Sequence, residues 1–323
     1  MLITVLMPVC NGEEYLPDSI ESILAQSHVD FEFIIIDDGS TDKSLSIISG
    51  YAKQDKRILV IRNERNIGLA KSLNVGIKLA KGQYIARQDA DDLSSADRLE
   101  IQLKFALSHP QVDLIGSNSY VIDMEGGIVC RNDSYATIID RWNGLLKRKA
   151  IFPHGSAFIK KSKLVEVGGY DERFFYSQDG ELWLRLLYYG AVVHTIPSPL
   201  YHYRELPRKT LKKYDAQAAF HEVKQMIYIH RSSKEEIQNK LDIISSNISA
   251  RAPNNCVANF MAIYWKSLAN TAYFNSVKFR SRPFKYLIRS IQANRNEISK
   301  AYYFKAFIMY LLPRSVINFS RRL

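Results

Sequence analysis

The sequence has few cysteines, and they form no pattern that would build a metal site or a disulfide framework. Cys10, Cys130 and Cys256 are odd in number and lie far apart in a chain of 323 residues. Scattered thiols of this kind are typical of a reducing compartment, where they serve as small core residues. A secretory leader is missing as well, because residues 1–9 run directly into an apolar strand pattern. From these absences we expect a cytoplasmic protein.

Long apolar runs and glycine-rich phosphate loops are missing too. The most apolar stretch of the C-terminal part, residues 301–312, contains Lys305 and is shorter than a membrane-spanning helix, which needs about 18 residues or more. The early turns contain neither G-x-G-x-x-G nor G-x-x-x-x-G-K-[ST] and carry acids instead. These absences disfavour a membrane-spanning protein and simple binding of a nicotinamide cofactor.

Charge divides the chain into two parts of different character. Up to Thr210 the sequence holds 25 basic and 27 acidic residues, whereas the remainder holds 19 basic and 6 acidic ones. Residues 251–323 alone carry 13 basic side chains and a single acid, Glu297. We therefore expect two regions with different partners: residues 1–210 as one domain, and residues 211–323 as a basic, aromatic-rich helical region.

Apolar strand patterns alternate with amphipathic helix patterns near the N-terminus. They predict a β-α-β-α-β-α-β succession over residues 3–7, 15–26, 31–36, 43–53, 58–61, 70–80 and 84–86. Such a succession builds an α/β fold with a mostly parallel sheet covered by helices on both faces. Ligands of these sheets gather at the carboxyl ends of the strands. Three polar clusters follow the strands there, and we expect them to meet in one crevice: residues 8–11, 37–40 and 89–92.

The densest cluster is Gln88-Asp89-Ala90-Asp91-Asp92, with three carboxylates in four residues. Crowded carboxylates repel one another and lose hydration, so we expect a divalent cation or a set of hydroxyl donors among them. The alternative is a solvated acidic turn that caps the next helix. In the second cluster, Ser40 or Thr41 is predicted to cap a helix, and the adjacent acids Asp37 and Asp38 exceed what capping requires. One of these acids is well placed to accept hydrogen bonds from a nucleobase or ribose.

Several short motifs follow one another in a fixed order over roughly residues 3–205. They are Pro8-Val9-Cys10-Asn11-Gly12-Glu13, Ser22-Ile23-Leu24-Ala25-Gln26, Asp37-Asp38-Gly39-Ser40-Thr41-Asp42, Asn66-Ile67-Gly68-Leu69, Asn74, Ala86-Arg87-Gln88-Asp89-Ala90-Asp91-Asp92, His154-Gly155-Ser156-Ala157, Val167-Gly168-Gly169-Tyr170-Asp171 and Gln178-Asp179-Gly180-Glu181-Leu182-Trp183-Leu184-Arg185. Together they resemble family 2 glycosyltransferases, which have the GT-A fold. The resemblance says little about residues 211–323.

The resemblance implies transfer of a hexosyl or N-acetylhexosaminyl group with inversion at the anomeric carbon. The donor would be a nucleoside diphosphate sugar, most often a UDP-sugar, and the acceptor a hydroxyl of a glycan or lipid-linked glycan in cell-surface polysaccharide biosynthesis. It also implies Mn²⁺ or Mg²⁺, which neutralises the charge that develops on the leaving diphosphate. The processive signature Gln-x-x-Arg-Trp is missing, so a single-addition enzyme is favoured over a polymerase.

The matching motifs also imply roles for individual residues. Asp91 and Asp89 would hold the metal, Asp89 would lie near the ribose, and Asp92 would reach the metal through water. Asp38 would contact the base and Asp37 would support it. The other donor-binding positions implied by the motifs are Pro8, Asn11, Glu13, Asn66, Ala90 and Arg204.

Two positions depart from the family pattern. Cys10 stands where many relatives carry an aromatic residue that stacks on the base. Residues 202–210 look like the loop that closes over the diphosphate, and Arg204, Arg208 and Lys209 supply the cations that a pyrophosphate requires. Relatives often have a second histidine soon after the arginine, whereas Leu206 and Pro207 stand here. The alternative is an exposed basic linker between domains.

An inverting transfer needs a general base opposite the leaving group, and Asp179 is the candidate. It precedes an amphipathic pattern in which Leu182, Trp183, Leu186 and Leu187 would pack inward, so the acid lies at a helix N-terminus. A helix N-cap is the alternative interpretation of such an acid. The family match at Gln178-Asp179 favours the catalytic one.

His154 and Trp183 are the candidates for the acceptor side of the cleft. His154 precedes a run of small residues that reads as a strand, and in the family such a histidine borders the acceptor. A hydrogen-bonded core histidine is the alternative. Trp183 is either a platform for a sugar ring or a core residue, and its helical phase with Leu186 and Leu187 favours packing.

Bases alternate with aromatic residues in the C-terminal part, as in Tyr264-Trp265-Lys266 and Phe284-Lys285-Tyr286. On helices, this pattern favours attachment to an anionic membrane surface, which would place the protein on the cytoplasmic face beside a lipid-linked acceptor. The alternative is a helical subdomain that packs on the catalytic domain and has a solvated basic face.

Two other functions compete with this interpretation. The basic, aromatic region is also compatible with nucleic-acid binding, but the acidic crevice argues against a nucleic-acid partner. A nucleotide-sugar binder without transferase activity is the second competitor. Asp89, Asp91 and Asp179, all present in the sequence, argue against that one.

Overall fold

A computed structural model describes residues 3–133, 141–146, 150–206, 212–230 and 232–249, together with Arg289. The chain forms two compact units. The first contains residues 1–120, 132–204 and 212–251, and the second contains residues 121–131, 205–211 and 252–323. The domain boundary expected after residue 210 stays a prediction.

The predicted alternation of strands and helices is confirmed, with element ends shifted by one or two residues. The N-terminal elements are β1 (Ile3–Val9), α1 (Leu16–Leu24), β2 (Phe31–Asp38), α2 (Ser44–Gln54), β3 (Ile58–Asn63), α3 (Leu69–Leu79) and β4 (Tyr84–Arg87). They are followed by β5 (Leu93–Ser94), α4 (Arg98–Ser108), β6 (Leu114–Ile122), β7 (Ile128–Asn132), α5 (Arg141–Leu146), β8 (Phe158–Lys160), α6 (Lys161–Glu166), α7 (Gln178–Tyr188), β9 (Val193–Arg204), α8 (Lys212–Gln225) and α9 (Lys234–Ser249). Residues Met226–His230 form a π-helical turn between α8 and α9.

The strands form one sheet in the order β3-β2-β1-β4-β8-β6-β9-β5, with β7 beside β6. Strands β3, β2, β1 and β4 are parallel, whereas β8 pairs antiparallel with both β4 and β6. The α/β fold is therefore confirmed, and the parallel part of the sheet is the part that was predicted. Because β1, β2 and β4 are parallel neighbours, their carboxyl ends lie at one edge of the sheet, where the three polar clusters meet.

The two faces of the sheet have separate cores because successive side chains of a strand point to opposite faces. In β2, Phe33 and Ile35 belong to a buried cluster with α1 and α2, while Ile34 and Ile36 belong to a second cluster with α3. All four side chains are fully buried. Each contributes about 1.5–3 kcal/mol relative to an exposed position. This burial holds β2 at the centre of the parallel strands, so the turn that follows it has a fixed place.

The prediction that Ser40 or Thr41 caps the second helix is wrong. The N–H of Ser44, the first residue of α2, donates to Asp42 Oδ1 at 2.9 Å. Ser40 Oγ instead accepts the N–H of Asn11 at 3.0 Å, and the N–H of Thr41 donates to Asn11 Oδ1 at 2.8 Å. The hydroxyl residues therefore fasten the turn after β2 to the loop after β1.

The strand expected after His154 begins later than predicted. His154–Ser156 form a 3-10 turn, and β8 begins at Phe158. Within the part of the chain that the structure describes, no helix combines the length and apolarity needed to cross a bilayer. Helices α8 and α9 follow residue 211, but residues 250–288 and 290–323, which carry most of the predicted basic surface, lie outside the described residues.

Replacement of Gly39 by alanine is expected to lower the free energy of unfolding by about 2 kcal/mol or more. Gly39 has a φ of +67°, and a β-carbon there would lie 2.5 Å from the carbonyl carbon of Arg65. A left-handed backbone is strained in any residue with a β-carbon, and the facing backbone cannot easily move away. Urea unfolding measures the change.

Gly50→Ala is the matched control for Gly39→Ala. Gly50 lies inside α2, and a β-carbon there would meet no atom within 4 Å. Alanine is favoured over glycine by about 1 kcal/mol in a helix interior, so this variant should be at least as stable as the unchanged protein. Equal urea midpoints for the two variants would contradict the explanation given for Gly39.

Candidate active site

The loops after β1, β2 and β4 meet at the edge of the sheet. Asn11, exposed and with a φ of 53°, holds the β2 turn through the two bonds already described. Glu13 Oε2 accepts the N–H of Lys43 at 2.9 Å just before α2. A β-carbon added to Gly12 would lie 3.7 Å from Ala90 Cβ, so the first loop also borders the acidic turn. The structure thus brings together three predicted donor-binding positions, Asn11, Glu13 and Ala90.

Asp37 and Asp38 end β2 on opposite faces and have different surroundings. Asp38 accepts hydrogen bonds from the N–H groups of Ile67 and Gly68, both at 3.0 Å, and from Asn63 Nδ2 at 2.8 Å. It therefore orders the loop that carries Asn66. The Asp37 oxygens are buried and have no hydrogen-bond partner within the described residues. A buried carboxylate of this kind is costly, so we expect a ligand or water to satisfy it.

Two further donor-side predictions concern residues near this loop. Asn66 Nδ2 donates to Cys10 Sγ at 3.0 Å, so Asn66 lies directly beside the position where relatives carry an aromatic residue. Pro8 is buried within β1 and pairs with Ile36 of β2. Pro8 therefore lies in the strand, two residues before the loop that begins at Cys10.

The acidic turn after β4 is held by arginines. Arg87, the last residue of β4, is buried and forms an ion pair with Asp89 at 2.6 Å. Asp92 Oδ1 accepts the N–H of Arg204 at 2.7 Å, and Arg204 Nε donates to the carbonyl oxygen of Asp91 at 2.7 Å. Arg204 is buried, with its guanidinium 4.5 Å from the centre of the Tyr15 ring. The predicted metal ligands and Arg204 therefore form one cluster.

Asp91 differs from the other two carboxylates of this turn in its contacts. Within the described residues its hydrogen bonding is limited to its own backbone, whereas Asp89 and Asp92 are engaged by arginine groups. Burial, and next the charge of Asp89, raise the pKa of Asp91 to about 6. Burial, and next Asp91, raise the pKa of Asp92 well above its usual range. The carboxylates of the turn therefore repel one another when ionised, and a bound cation would offset this repulsion.

The donor set fits a divalent cation that shares its ligands with a substrate. In the described part of the chain, no three carboxylate, histidine or thiol groups converge closely enough to hold a metal ion by themselves. Mg²⁺ and similar hard cations are commonly bound by one or two carboxylates together with phosphate oxygens and water. The assignment of Asp91 and Asp89 as the protein's share of such a site stays a prediction.

Asp179 lies in the first turn of α7, as predicted. It is partly buried, and none of the described residues donates a hydrogen bond to its carboxylate. Ser177, not Asp179, occupies the N-cap position, and it makes no side-chain cap bond. The capping interpretation of Asp179 is therefore not supported by any contact of its side chain.

His154 connects Asp179 to the acidic turn. Its Nε2 lies 2.8 Å from the hydroxyl of Tyr170, and both Asp179 and Asp89 act electrostatically on these two side chains. A β-carbon added to Gly155 would lie 2.8 Å from Asp89 Oδ2. Burial, followed by the charge of Arg87, lowers the pKa of His154 to about 4, so its imidazole is neutral at physiological pH.

Trp183 lies in the core, with 2% of its surface exposed and its ring against Phe152 and His154. The packing interpretation is the one that this position favours, because a sugar cannot stack on a covered ring.

Three residues of the site were missed from the sequence: Arg87, Tyr170 and Tyr201. Tyr201 is fully buried, and its hydroxyl accepts the N–H of Asp89 at 3.1 Å. A charged residue inside an apolar strand, directly before a run of acids, was a usable signal for Arg87. Tyr170 lies within the motif Val167-Gly168-Gly169-Tyr170-Asp171, but the motif implied no role for it. No pattern in the sequence pointed to Tyr201, because its partner Asp89 lies far away along the chain.

Comparison with known proteins identifies the family. The model of glycosyl transferase family 2 matches residues 4–168. The chain belongs to this family.

An uncharacterized glycosyltransferase of Methanocaldococcus jannaschii is 37% identical over 188 residues, which cover 58% of this chain and 64% of that protein. The putative glycosyltransferase EpsE of Bacillus subtilis is 37% identical over 63% of this chain and 73% of its own length. The putative teichuronic acid biosynthesis glycosyltransferase TuaG of Bacillus subtilis is 42% identical over 33% of this chain and 42% of its own length.

Solved structures confirm the GT-A fold expected from the resemblance. S. aureus TarS, residues 1–349, matches 91% of this chain and 89% of its own length with a TM-score of 0.57 and 16% identity. TarS has also been solved with UDP-GlcNAc. The mannosyltransferase PcManGT of Pyrobaculum calidifontis, in complex with GDP-Man and Mn²⁺, matches 92% of this chain and 88% of its own with a TM-score of 0.53 and 18% identity.

Binding of Mn²⁺ is expected to strengthen as the pH rises through about 6, the pKa of Asp91. Below this pKa a metal ion must displace a proton, so its apparent affinity falls about tenfold per pH unit. The stability of the metal-free protein should change in the opposite direction with pH. Its folded state holds this proton more tightly than the unfolded chain, so its stability falls as the pH rises from 3.8 to about 6. The rise in Tm caused by Mn²⁺, measured at each pH, tests both trends.

Asp91→Asn should remove most of the Mn²⁺ effect on Tm at every pH. Glu166→Gln is the control, because Glu166 is exposed on α6 and pairs with Lys163 away from the acidic turn. A Tm shift that is independent of pH in the unchanged protein would show that Asp91 does not bind the ion.

Proposed function

We propose that this protein transfers a sugar from a nucleoside diphosphate sugar to a hydroxyl of a glycan or lipid-linked glycan, with inversion at the anomeric carbon. The observation that carries the proposal is the difference between two carboxylates that lie near the same pair of side chains. Asp91 lies in a turn whose other acids are engaged by arginine groups, and Asp179 has no hydrogen-bond donor among the described residues. Asp179 and Asp89 of that turn both act electrostatically on His154 and Tyr170.

The donor is held at the carboxyl edge of the parallel strands. Asp38 orders the Asn63–Gly68 loop, and its remaining acceptor capacity is directed at the base. Asp37 supports this end of the site. Asn11, Asn66 and Ala90 border the space beside Cys10, where the absence of an aromatic ring leaves the base without a stacking partner.

At the diphosphate, Asp91 and Asp89 would hold Mn²⁺ or Mg²⁺. When bound, the cation supplies positive charge to the leaving diphosphate. Arg87 fixes the Asp89 carboxylate through their ion pair, so the turn keeps its shape without the ion. Asp92 accepts the backbone N–H of Arg204 and thereby holds the end of β9 against the turn. Arg208 and Lys209, predicted to contact the diphosphate, lie outside the described residues.

Asp179 is the general base. It accepts the proton of the acceptor hydroxyl as that oxygen attacks the anomeric carbon and the bond to the diphosphate breaks. His154 and Tyr170 border the acceptor and are neutral, so they can orient a hydroxyl by hydrogen bonding without competing for its proton. Trp183 supports this wall from the core.

The finer assignments rest on the relatives. TarS in complex with UDP-GlcNAc supports a UDP-sugar and an N-acetylhexosaminyl or hexosyl group, and PcManGT in complex with GDP-Man and Mn²⁺ supports a divalent ion. TuaG, whose name refers to teichuronic acid biosynthesis, supports a role in cell-surface polysaccharide synthesis. Attachment to the cytoplasmic membrane face through residues 211–323, which carry 19 basic side chains, completes the proposal.

Donor hydrolysis tests the function directly. The full chain is incubated with Mn²⁺ and a panel of UDP-, GDP- and dTDP-sugars, and release of the nucleoside diphosphate is followed with and without glycan acceptors. Selective turnover of one donor is expected, faster with an acceptor. Binding of a donor without any turnover across the panel would favour the silent binding protein, and tight binding of nucleic acid instead would favour the other competitor.

Asp179→Asn is expected to lower kcat by about 10²–10⁴-fold, because the acceptor proton loses its base, while the Kd for the donor changes little. Isothermal titration with the nucleoside diphosphate sugar measures the Kd. Asp97→Asn, an exposed position just before α4, is the control and should leave both quantities unchanged. Loss of donor binding in Asp179→Asn would refute the assignment of the base.

A further inference from the structure

A cavity of about 630 Å³ lies beside the C-terminal half of α7. Its walls come from α7, from the loop after α6 and from the π-helical turn at Met226–His230, and none of the acidic-turn residues lines it. Four tyrosines contribute to its lining: Tyr170, Tyr188, Tyr189 and Tyr228. A cavity of this size, with aromatic walls and a few placed polar groups, is typical of a small-molecule site.

The cavity is separate from the predicted catalytic crevice. Glu181, Arg185 and Tyr188 are spaced four and three residues apart, so they share the face of α7 that borders the cavity. Asp179 precedes Glu181 by two residues and therefore points to the opposite face. Tyr170 belongs to both places, because it lines the cavity and contacts His154. The two sites are thus neighbours across one helix.

The tyrosine rings are held at fixed angles and remain partly open. Tyr188 and Tyr189 are 55% and 58% exposed, with their ring centres 5.4 Å apart and nearly perpendicular. The ring of Tyr228 lies 6.0 Å from that of Tyr188, and its hydroxyl donates to Glu181 Oε1 at 2.8 Å. Tyr228 stands on the π-helical turn, a distortion that frequently marks functional sites. These rings offer apolar faces at the mouth and polar groups deeper in.

Charge in the cavity is balanced by pairs within its own lining. Arg173 pairs with Asp171 at 2.6 Å, and Arg185 pairs with Glu181 at 2.8 Å. Glu172 adds one further acid, so the described residues of the lining hold no surplus of positive charge to bind a phosphate or a uronic acid. The paired groups still offer hydrogen-bond donors and acceptors to hydroxyls. A neutral, hydroxyl-rich ligand with an apolar face is the chemistry that matches both the rings and the charges.

We propose that this cavity binds a pyranose unit of a neutral glycan. The C–H face of the pyranose stacks on one of the two exposed rings, Tyr188 or Tyr189, while the other, nearly perpendicular ring borders its edge. Its hydroxyls bind the paired carboxylates and guanidinium groups. Its role as an anchor for the acceptor chain rests on the transferase function proposed above. An acceptor held here would present its growing end across α7, near Asp179.

Binding of short oligosaccharides tests the site. Neutral tetrasaccharides of glucose, N-acetylglucosamine and mannose, and an acidic tetrasaccharide of galacturonic acid, are titrated into the full chain, with binding read by ligand-observed NMR. At least one neutral tetrasaccharide should bind, more tightly than the acidic one. Tyr188→Ala with Tyr189→Ala should weaken that binding about tenfold or more, since truncation removes the stacking surface. Leu107→Ala, at an exposed apolar position on α4, is the control and should leave the binding of that tetrasaccharide unchanged.

Three results would overturn the proposal: no binding of any neutral tetrasaccharide, preferential binding of the acidic one, or equal binding by the tyrosine variant. Donor hydrolysis without acceptor is measured on the same samples and should be unchanged in the tyrosine variant. Glycan binding by a protein that hydrolyses no donor would support the cavity while refuting the transferase. Donor hydrolysis without glycan binding would support the transferase function while refuting the glycan site in the cavity.

Discussion

The candidate site depends on two buried arginines beneath the acidic turn. Arg98 of α4 is fully buried and donates to the carbonyl oxygen of Arg87 at 2.8 Å and to Ser94 Oγ at 2.8 Å, which fixes the chain on both sides of the turn. Burial lowers the pKa of Arg98 to about 10, so the guanidinium stays charged at neutral pH. Arg87 in turn neutralises Asp89. Removal of Arg87 would leave the half-buried Asp89 carboxylate without its partner. Removal of Arg98 would leave the buried oxygens of Arg87 and Ser94 without this donor. Asp91 is thereby isolated in a rigid turn.

The parallel part of the sheet was predictable because its signals are local. Each strand and helix from β1 to β4 carries its own periodicity, and the polar residues at the strand ends follow from the connectivity of parallel strands. The antiparallel part was not predictable in the same way. Strand β8 is three residues long and inserts between β4 and β6, although it lies more than 70 residues after β4 in the chain. A short strand of this kind is defined by its neighbours, not by its sequence.

Within the site, too, helix capping and ion pairing could not be predicted from local sequence signals. Ser40 and Thr41 have the chemistry of a helix cap, but both bind Asn11 of another loop. The N–H of Ser44, at the start of α2, donates to Asp42 instead. The acids of the turn differ in their contacts, and this difference was not visible from their spacing. It depends on which carboxylates meet arginines, and those arginines lie on β4 and β9. Local patterns therefore predicted where the acids lie in the fold, and tertiary contacts decided which of them are engaged.

His154 is neutral although the charges of Asp179 and Asp89 favour its protonation. A protonated imidazole at this position would be a buried cation, which is costly. Burial and the nearby charge of Arg87 oppose protonation, and the hydroxyl of Tyr170 gives the neutral ring a partner at 2.8 Å. The same arginine that neutralises Asp89 therefore also acts, after burial, to keep His154 uncharged, so the ion pair of the acidic turn and the protonation state of His154 are linked electrostatically.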